Sequence, residues 1–292
     1  MNNFDNILNL FGLPKALEIT ELKKGHSNRT YDVKGSGGRY ILQSLNKNIF
    51  EFPQRIMNNI SSIERAFEKY PESGIEIPHY IYINGRNYTE YNNEVWRIYE
   101  YIEDCADGTK NFFEQGLTVG TFLRIVNSAD IRFEDCMPRL HNFNIDSLPK
   151  RNIHGDTKSD NIIFGKKTAI IDFDTTMVNH VCVDYGDMIR SITTDSFDLK
   201  RIYEATKGFA NGVNGLLTYD EIKSLYLGIV LIIKELAKRY HEGVKNFPNK
   251  TPEQCLEREK KLILQLDEFY RHENEIISII NNCFGYKDKE QE

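Results

Sequence analysis

The chain has 292 residues, 40% of them hydrophobic and 27% charged, with a formal net charge of −6. That is enough chain for two lobes around a real core, and its acidity argues against a nucleic-acid backbone or an anionic membrane as main partner, because no Lys/Arg cluster offsets it. Cys105, Cys136, Cys182, Cys255 and Cys283 lack the short spacings of a zinc site or redox pair and read as reduced thiols. The start, MNNFDNILNLFG, lacks the basic and apolar regions of a signal peptide, and the most apolar run, Gly228 to Ile233, is too short to span a bilayer. A soluble cytoplasmic protein is expected.

In chain order, the first hundred residues are rich in short β-type runs: ALEITELKKG, NRTYDVKG, RYILQSLN, HYIYING, RNYTEYN and EVWRIYEYIE. The turn sequences GSGG and NGRN punctuate them, which predicts an antiparallel sheet. GSGG at Gly35–Gly38 falls between two runs and reads as a hairpin turn. One helix is predicted from Pro53 to about Tyr70, where Ile56, Ile60, Ile63 and Phe67 recur at helical spacing. After Cys105 the pattern becomes helical over Phe112–Asn127, then gives short strands at Asn161–Phe164 and Thr168–Asp172, then long helices. The expected fold is α+β and bilobal: residues 1–104 as a small antiparallel β lobe with one helix, and residues 105–292 as a larger, mainly α lobe, meeting near the acidic EDCADG. The tail KDKEQE is charged enough to be disordered.

The segment that carries chemistry is Ile153-His154-Gly155-Asp156-Thr157-Lys158-Ser159-Asp160-Asn161, followed after one hairpin by Ile170-Ile171-Asp172-Phe173-Asp174. Phosphoryl transfer from ATP needs a carboxylate to orient and deprotonate the attacking hydroxyl, and oxygen ligands that hold Mg²⁺ on the phosphates. Asp156 as base, with Asn161 five residues on and Asp172 returned by the hairpin as magnesium ligands, meets that need at the spacing of the protein-kinase catalytic loop. Asp174 stands where D-F-G has Gly and either adds a ligand or faces solvent. His154 is expected to buttress the loop by hydrogen bonding.

The H-G-D-x-x-x-x-N loop resembles that of the aminoglycoside/choline kinase superfamily. YILQSLNKNIF, MPRLHNFN, HGDTKSDN, IDFDTTM with VDYGDMIRS, and ELAKRY resemble its N-acetylhexosamine 1-kinase branch, from about Gly25 to Leu264. The resemblance implies a protein-kinase-like fold, Mg²⁺ and ATP, and transfer of the γ-phosphate to the anomeric C1 hydroxyl of GlcNAc or GalNAc. For the nucleotide it implies the loop at Gly25 and Asn28, Gln43 where the usual strand lysine stands, and Arg97, Tyr99, Tyr101 and Ile102 at the end of the small lobe. Gln43 donates a hydrogen bond but brings no charge, so Glu64, the helical acid, has no lysine partner and is expected at the surface. For a neutral sugar, which must be recognised by hydrogen-bonding groups, the candidates are Asp187, Arg190 and Arg239. The alternative for the first two is an ion pair across one helical turn, and for Arg239 a surface pair with Glu235.

Competing readings keep the fold and change the acceptor, to choline or ethanolamine, or to an aminoglycoside. A reading of another class is a catalytically inactive kinase fold used as a binding module. The sequence carries no signal for oligomeric state.

Overall fold

A computed structural model describes residues 3–22, 28–105, 110–137, 140–143, 145 and 147–286. The first helix, α1 (Asn3–Leu10), precedes three strands, β1 (Ala16–Leu22), β2 (Arg29–Gly35) and β3 (Gly38–Leu45), then α2 (Pro53–Glu68), β4 (Ile75–Glu76), β5 (Thr89–Tyr91) and β6 (Glu94–Glu100). Five of these strands form an antiparallel sheet in the order β1-β2-β3-β6-β5. The GSGG stretch is the β2–β3 turn, as expected. The β5–β6 turn is Asn92-Asn93, both at positive φ, which a two-residue hairpin loop with matching twist requires.

Alternation along the strands sends residues to opposite faces. On one face, Tyr31, Val33, Leu42, Trp96 and Ile98 pack against Ile7, Leu8 and Phe11 of the α1 region. This helix was not expected, although Phe4, Ile7, Leu8 and Phe11 have helical spacing. On the other face, Leu45 and Val95 join a core that continues through Ile56, Ile60 and Ile63 of α2 into the helices of the second part. Gln43, Arg97 and Tyr99 share this second face by the same period of two. HYIYING forms no strand; Tyr80 makes a single bridge to Tyr99, and Ile83 and Arg86 close a turn.

The second part opens with α3 (Phe112–Ser128) and the short strands β7 (Arg151–Ile153), β8 (Ile162–Phe164), β9 (Thr168–Ile170) and β10 (Met177–Asn179). It continues with α4 (Val181–Ile192), α5 (Leu199–Val213), α6 (Tyr219–Lys223), α7 (Leu225–His241), α8 (Pro252–Arg271) and α9 (Glu273–Cys283). Backbones approach closely where α3 meets α5, since a Cβ at Gly116 or Gly208 would collide with the facing main chain. β4 pairs in parallel with β9, and Asn59 of α2 donates to the carbonyl of Thr176 at 3.2 Å, so α2 is bolted to the segment after Asp172. Cys105 donates its N–H to the Phe164 carbonyl at 2.7 Å, fixing the crossover from the sheet to the strands that frame the site.

Candidate active site

Antiparallel pairing of β7 with β10 sets Ile153 opposite Met177, and β8 pairs with β9. The two ribbons therefore bring the loop 154–158 alongside 172–176. Gly155 has φ +82°, and a Cβ on it would lie 2.5 Å from the Thr175 carbonyl oxygen, so the loop passes under 172–176 only with glycine. Asp184 of α4, fully buried, accepts the N–H groups of His154 and Gly155, each at 2.8 Å, one on each carboxylate oxygen. His154 donates from Nε2 to the Ile171 carbonyl at 3.0 Å and accepts the Asp156 N–H on Nδ1 at 3.3 Å. Burial lowers its pKa to about 4, so the ring is neutral and acts as the expected buttress.

Asp156 meets the Lys158 ammonium in an ion pair and accepts from the Asn161 side-chain amide at 3.0 Å. Burial favours its neutral form, but Lys158 outweighs this and holds the carboxyl below the ordinary carboxylate range. Asn161 also donates to the Asp156 carbonyl at 2.7 Å, which commits its amide nitrogen and leaves its side-chain oxygen available to a cation. Asp172 sits at φ +69°; burial first, then Asp174, with Asp156 adding to them, pushes it up to about 7 despite Lys158. So many acids in one cleft favour a bound cation. Among the described residues no group of three or more His, Cys, Asp or Glu is placed to hold a metal. The donor set Asn161 and Asp172 fits magnesium, which takes one or two protein oxygens and completes its shell with phosphate and water.

On the sheet side, Arg97 and Gln43 are partners in the β3–β6 register. Arg97, 1% exposed, donates to Gln43 Oε1 at 2.9 Å and to Asp174 Oδ1 at 2.5 Å. Burial would lower its pKa, but Asp174 raises it above the ordinary arginine value. Asn28 donates to the other Asp174 oxygen at 2.6 Å. Asp174 is thus buried and paired, not solvent-facing. Tyr99 packs on Tyr80 with ring centroids 5.1 Å apart and is close enough to feel Asp172 and Asp174. Tyr101 donates its N–H to the Arg39 carbonyl at 3.0 Å and carries the Arg39 guanidinium 3.5 Å over its ring; Ile102 follows, half-buried. Gly25 lies outside the described residues. Glu64 is not a free surface acid, because it accepts from the Tyr80 N–H at 3.1 Å and the Tyr82 hydroxyl at 2.6 Å.

On the helical side, Arg190 donates twice to Asp187 Oδ1, at 2.9 and 2.8 Å, with both residues buried. Oδ2 of Asp187 is buried without a hydrogen-bond partner among the described residues. Arg239 does not pair with Glu235; its guanidinium lies 5.4 Å from the Phe247 ring, and Glu235 binds His141 instead. Lys158 and Asp184 receive no role from the sequence, although both stand inside the quoted motifs, Asp184 as the first acid of VDYGDMIRS. Their signal was position: two residues after Asp156, and on the helix that follows β10.

Residues 121–209 match the phosphotransferase enzyme family. Solved structures that share the fold include the following three. A microcompartment-associated aminopropanol kinase has a TM-score of 0.66 and 13% identity, over 94% of this chain and 98% of that one. A spectinomycin phosphotransferase in complex with ADP and spectinomycin has a TM-score of 0.57 and 16% identity, over 91% and 92%. An ethanolamine kinase of Plasmodium vivax has a TM-score of 0.55 and 12% identity, over 85% and 82%.

Proposed function

With the chain a member of the aminoglycoside/choline-kinase-like phosphotransferase superfamily, we propose that it is an ATP-dependent small-molecule kinase. Its acceptor is the anomeric C1 hydroxyl of an N-acetylhexosamine, GlcNAc or GalNAc. The observation that supports the kinase reading is the grouping of Asp156, Lys158, Asn161 and Asp172 in one cleft under the sheet. The sugar reading rests on the sequence stretches shared with the hexosamine 1-kinase branch.

In this reading Asp156, held ionised by Lys158, orients the acceptor hydroxyl and takes its proton. Asn161 and Asp172 hold magnesium, which when bound with the nucleotide neutralises the phosphates as the γ-phosphoryl group departs. The nucleotide lies against residues 1–104, with adenine near Tyr99, Tyr101 and Ile102 and the loop of Gly25 and Asn28 over the phosphates. Gln43 brings no charge there, and the charge of Arg97, its strand partner, is balanced by Asp174, so neutralising the phosphates falls to magnesium. Residues 105–292 bind the acceptor. In this proposal the unpartnered oxygen of Asp187 accepts a sugar hydroxyl, Arg190 fixes Asp187, and Arg239 is a further candidate contact from α7.

The test is coupled ATP consumption with Mg²⁺ against GlcNAc, GalNAc, glucose, choline and an aminoglycoside, with phosphorus NMR of the product. An anomeric sugar phosphate is expected. Turnover with choline or an aminoglycoside alone would remove the sugar assignment and keep the chemistry. No turnover with any of them would count against the proposal and towards a binding module.

A further inference from the structure

One peptide group carries Asp156, and both of its ends are held by histidine rings. Its N–H, on Asp156, donates to Nδ1 of His154, and its carbonyl, on Gly155, accepts from Nε2 of His141 at 2.8 Å. Since a peptide unit is planar, these two bonds fix its rotation about the chain and hence the direction in which the Asp156 side chain leaves.

The two rings differ in protonation. His154 must present a bare Nδ1 and is neutral. His141 faces acceptors on both sides: the Gly155 carbonyl at Nε2, and Glu235 Oε2 at Nδ1, 2.7 Å away. A carbonyl only accepts, and Glu235 takes the His141 backbone N–H on Oε1 and the ring nitrogen on Oε2, the acceptor pattern of a carboxylate. Both ring nitrogens therefore donate, which only the imidazolium does. The backbone of His141 is fixed as well, at φ +54°, by its N–H to Glu235 Oε1 at 3.0 Å and by Asn179 donating to its carbonyl at 2.9 Å. The charged groups facing it are Glu235 and, beyond it, Arg239 on α7, and Asp184 and Asp187 on α4.

We infer that His141, as an imidazolium anchored on Glu235, is a positioning residue that aims Asp156 through the Gly155 carbonyl, so that turnover falls when His141 loses its proton. The inference rests on Asp156 being the base. Burial alone would depress the His141 pKa, but its hydrogen bond to Glu235 and the charge of Glu235 raise it above 6.5. The sign follows: the clamp is complete below 6.5 and is lost as the pH rises through the raised value, which puts a limb on the alkaline side of the kcat profile.

The experiment is ring ¹⁵N NMR of ¹⁵N-histidine-labelled protein against pH, beside kcat profiles for the wild type, Glu235→Gln and His141→Gln. The expected result is one ring doubly protonated at neutral pH, titrating with the same midpoint as the alkaline limb. Glu235→Gln moves both midpoints down. His141→Gln, which donates to the carbonyl without titrating, lowers kcat about tenfold or more, as a small misplacement of a reacting group does. It also removes the limb and leaves the KM for MgATP within about twofold, because no nucleotide contact is lost. A neutral His141 ring at pH 7, or a limb that survives His141→Gln, overturns the inference. If Asp156 were not the base, Asp156→Asn would keep its turnover while the His141 titration stayed as described, so the two failures are distinguishable.

Discussion

Arg97 donates to Asp174 at 2.5 Å with both residues buried, across 77 positions of sequence, and the same guanidinium binds Gln43 on the neighbouring strand. The cleft thus holds a cation on β6 and a carboxylate two residues after Asp172, so that charge is balanced within the chain. Breaking a buried pair by removing one partner leaves a bare charge and costs about 3–5 kcal/mol, whereas replacing both by apolar groups is near neutral. Arg97→Met is expected to destabilise the protein by that amount in urea unfolding, and Arg97→Met with Asp174→Leu to recover most of it.

Moving the cation rather than removing it tests its link to the nucleotide. The double variant Gln43→Lys, Arg97→Gln restores a lysine on β3 opposite a neutral partner. By calorimetry, Arg97→Gln alone is expected to weaken MgADP binding, because it leaves Asp174 as an uncompensated carboxylate beside Asp172, which repels the phosphates. The double variant should bind more tightly than that single one. Equal affinities would show that the charge on this strand pair does not reach the phosphates.

Asp184 offers one oxygen to each of two backbone N–H groups, and neither place suits an NH₂. Asp184→Asn turns one acceptor into a donor facing a donor, leaving a buried N–H unpaired at a cost of about 1–3 kcal/mol. The expected outcome is a folded protein with a lowered melting temperature and a larger fall in kcat than in MgATP affinity.

Much of this was open to sequence reasoning because it is local. The hairpin of short strands after Asn161, the GSGG turn, and the apolar face of α2 each lie within one short stretch, and each appears where it was expected. HYIYING misled because alternation indicates a half-buried extended segment, not a strand partner, and Tyr80 finds one only at Tyr99. α1 is too short to announce itself before the sheet face it covers is known. Glu64 was misplaced because its partners, Tyr80 and Tyr82, come from that same irregular stretch. The Arg97–Asp174 and His141–Glu235 pairs join residues 77 and 94 positions apart, and no spacing rule reaches that far.

Just ahead of the loop 154–158, Arg151 on β7 pairs with Glu221, which also caps α6 through the Thr218 N–H at 2.8 Å. Burial would raise the Glu221 carboxyl, but Arg151 and Thr218 hold it below 4.5. A depressed carboxylate gives stability that is present above the unfolded value and lost as the pH falls through the folded one. Glu221→Gln should therefore cost about 1–3 kcal/mol at pH 7, since Arg151 is partly exposed and water softens the loss of its partner. The cost should shrink towards zero in acid; a pH-independent loss would mean that the pair contributes through packing alone.

Asp156 as the base of a magnesium- and ATP-dependent transfer is tested most directly by comparing wild type and Asp156→Asn, each with MgATP and the best acceptor of the panel. Calorimetric MgADP binding is measured on the same samples. The account predicts a fall in kcat of about 10²–10⁴-fold, the range for loss of a positioned base, with MgADP affinity nearly unchanged. Wild-type turnover in Asp156→Asn would contradict it.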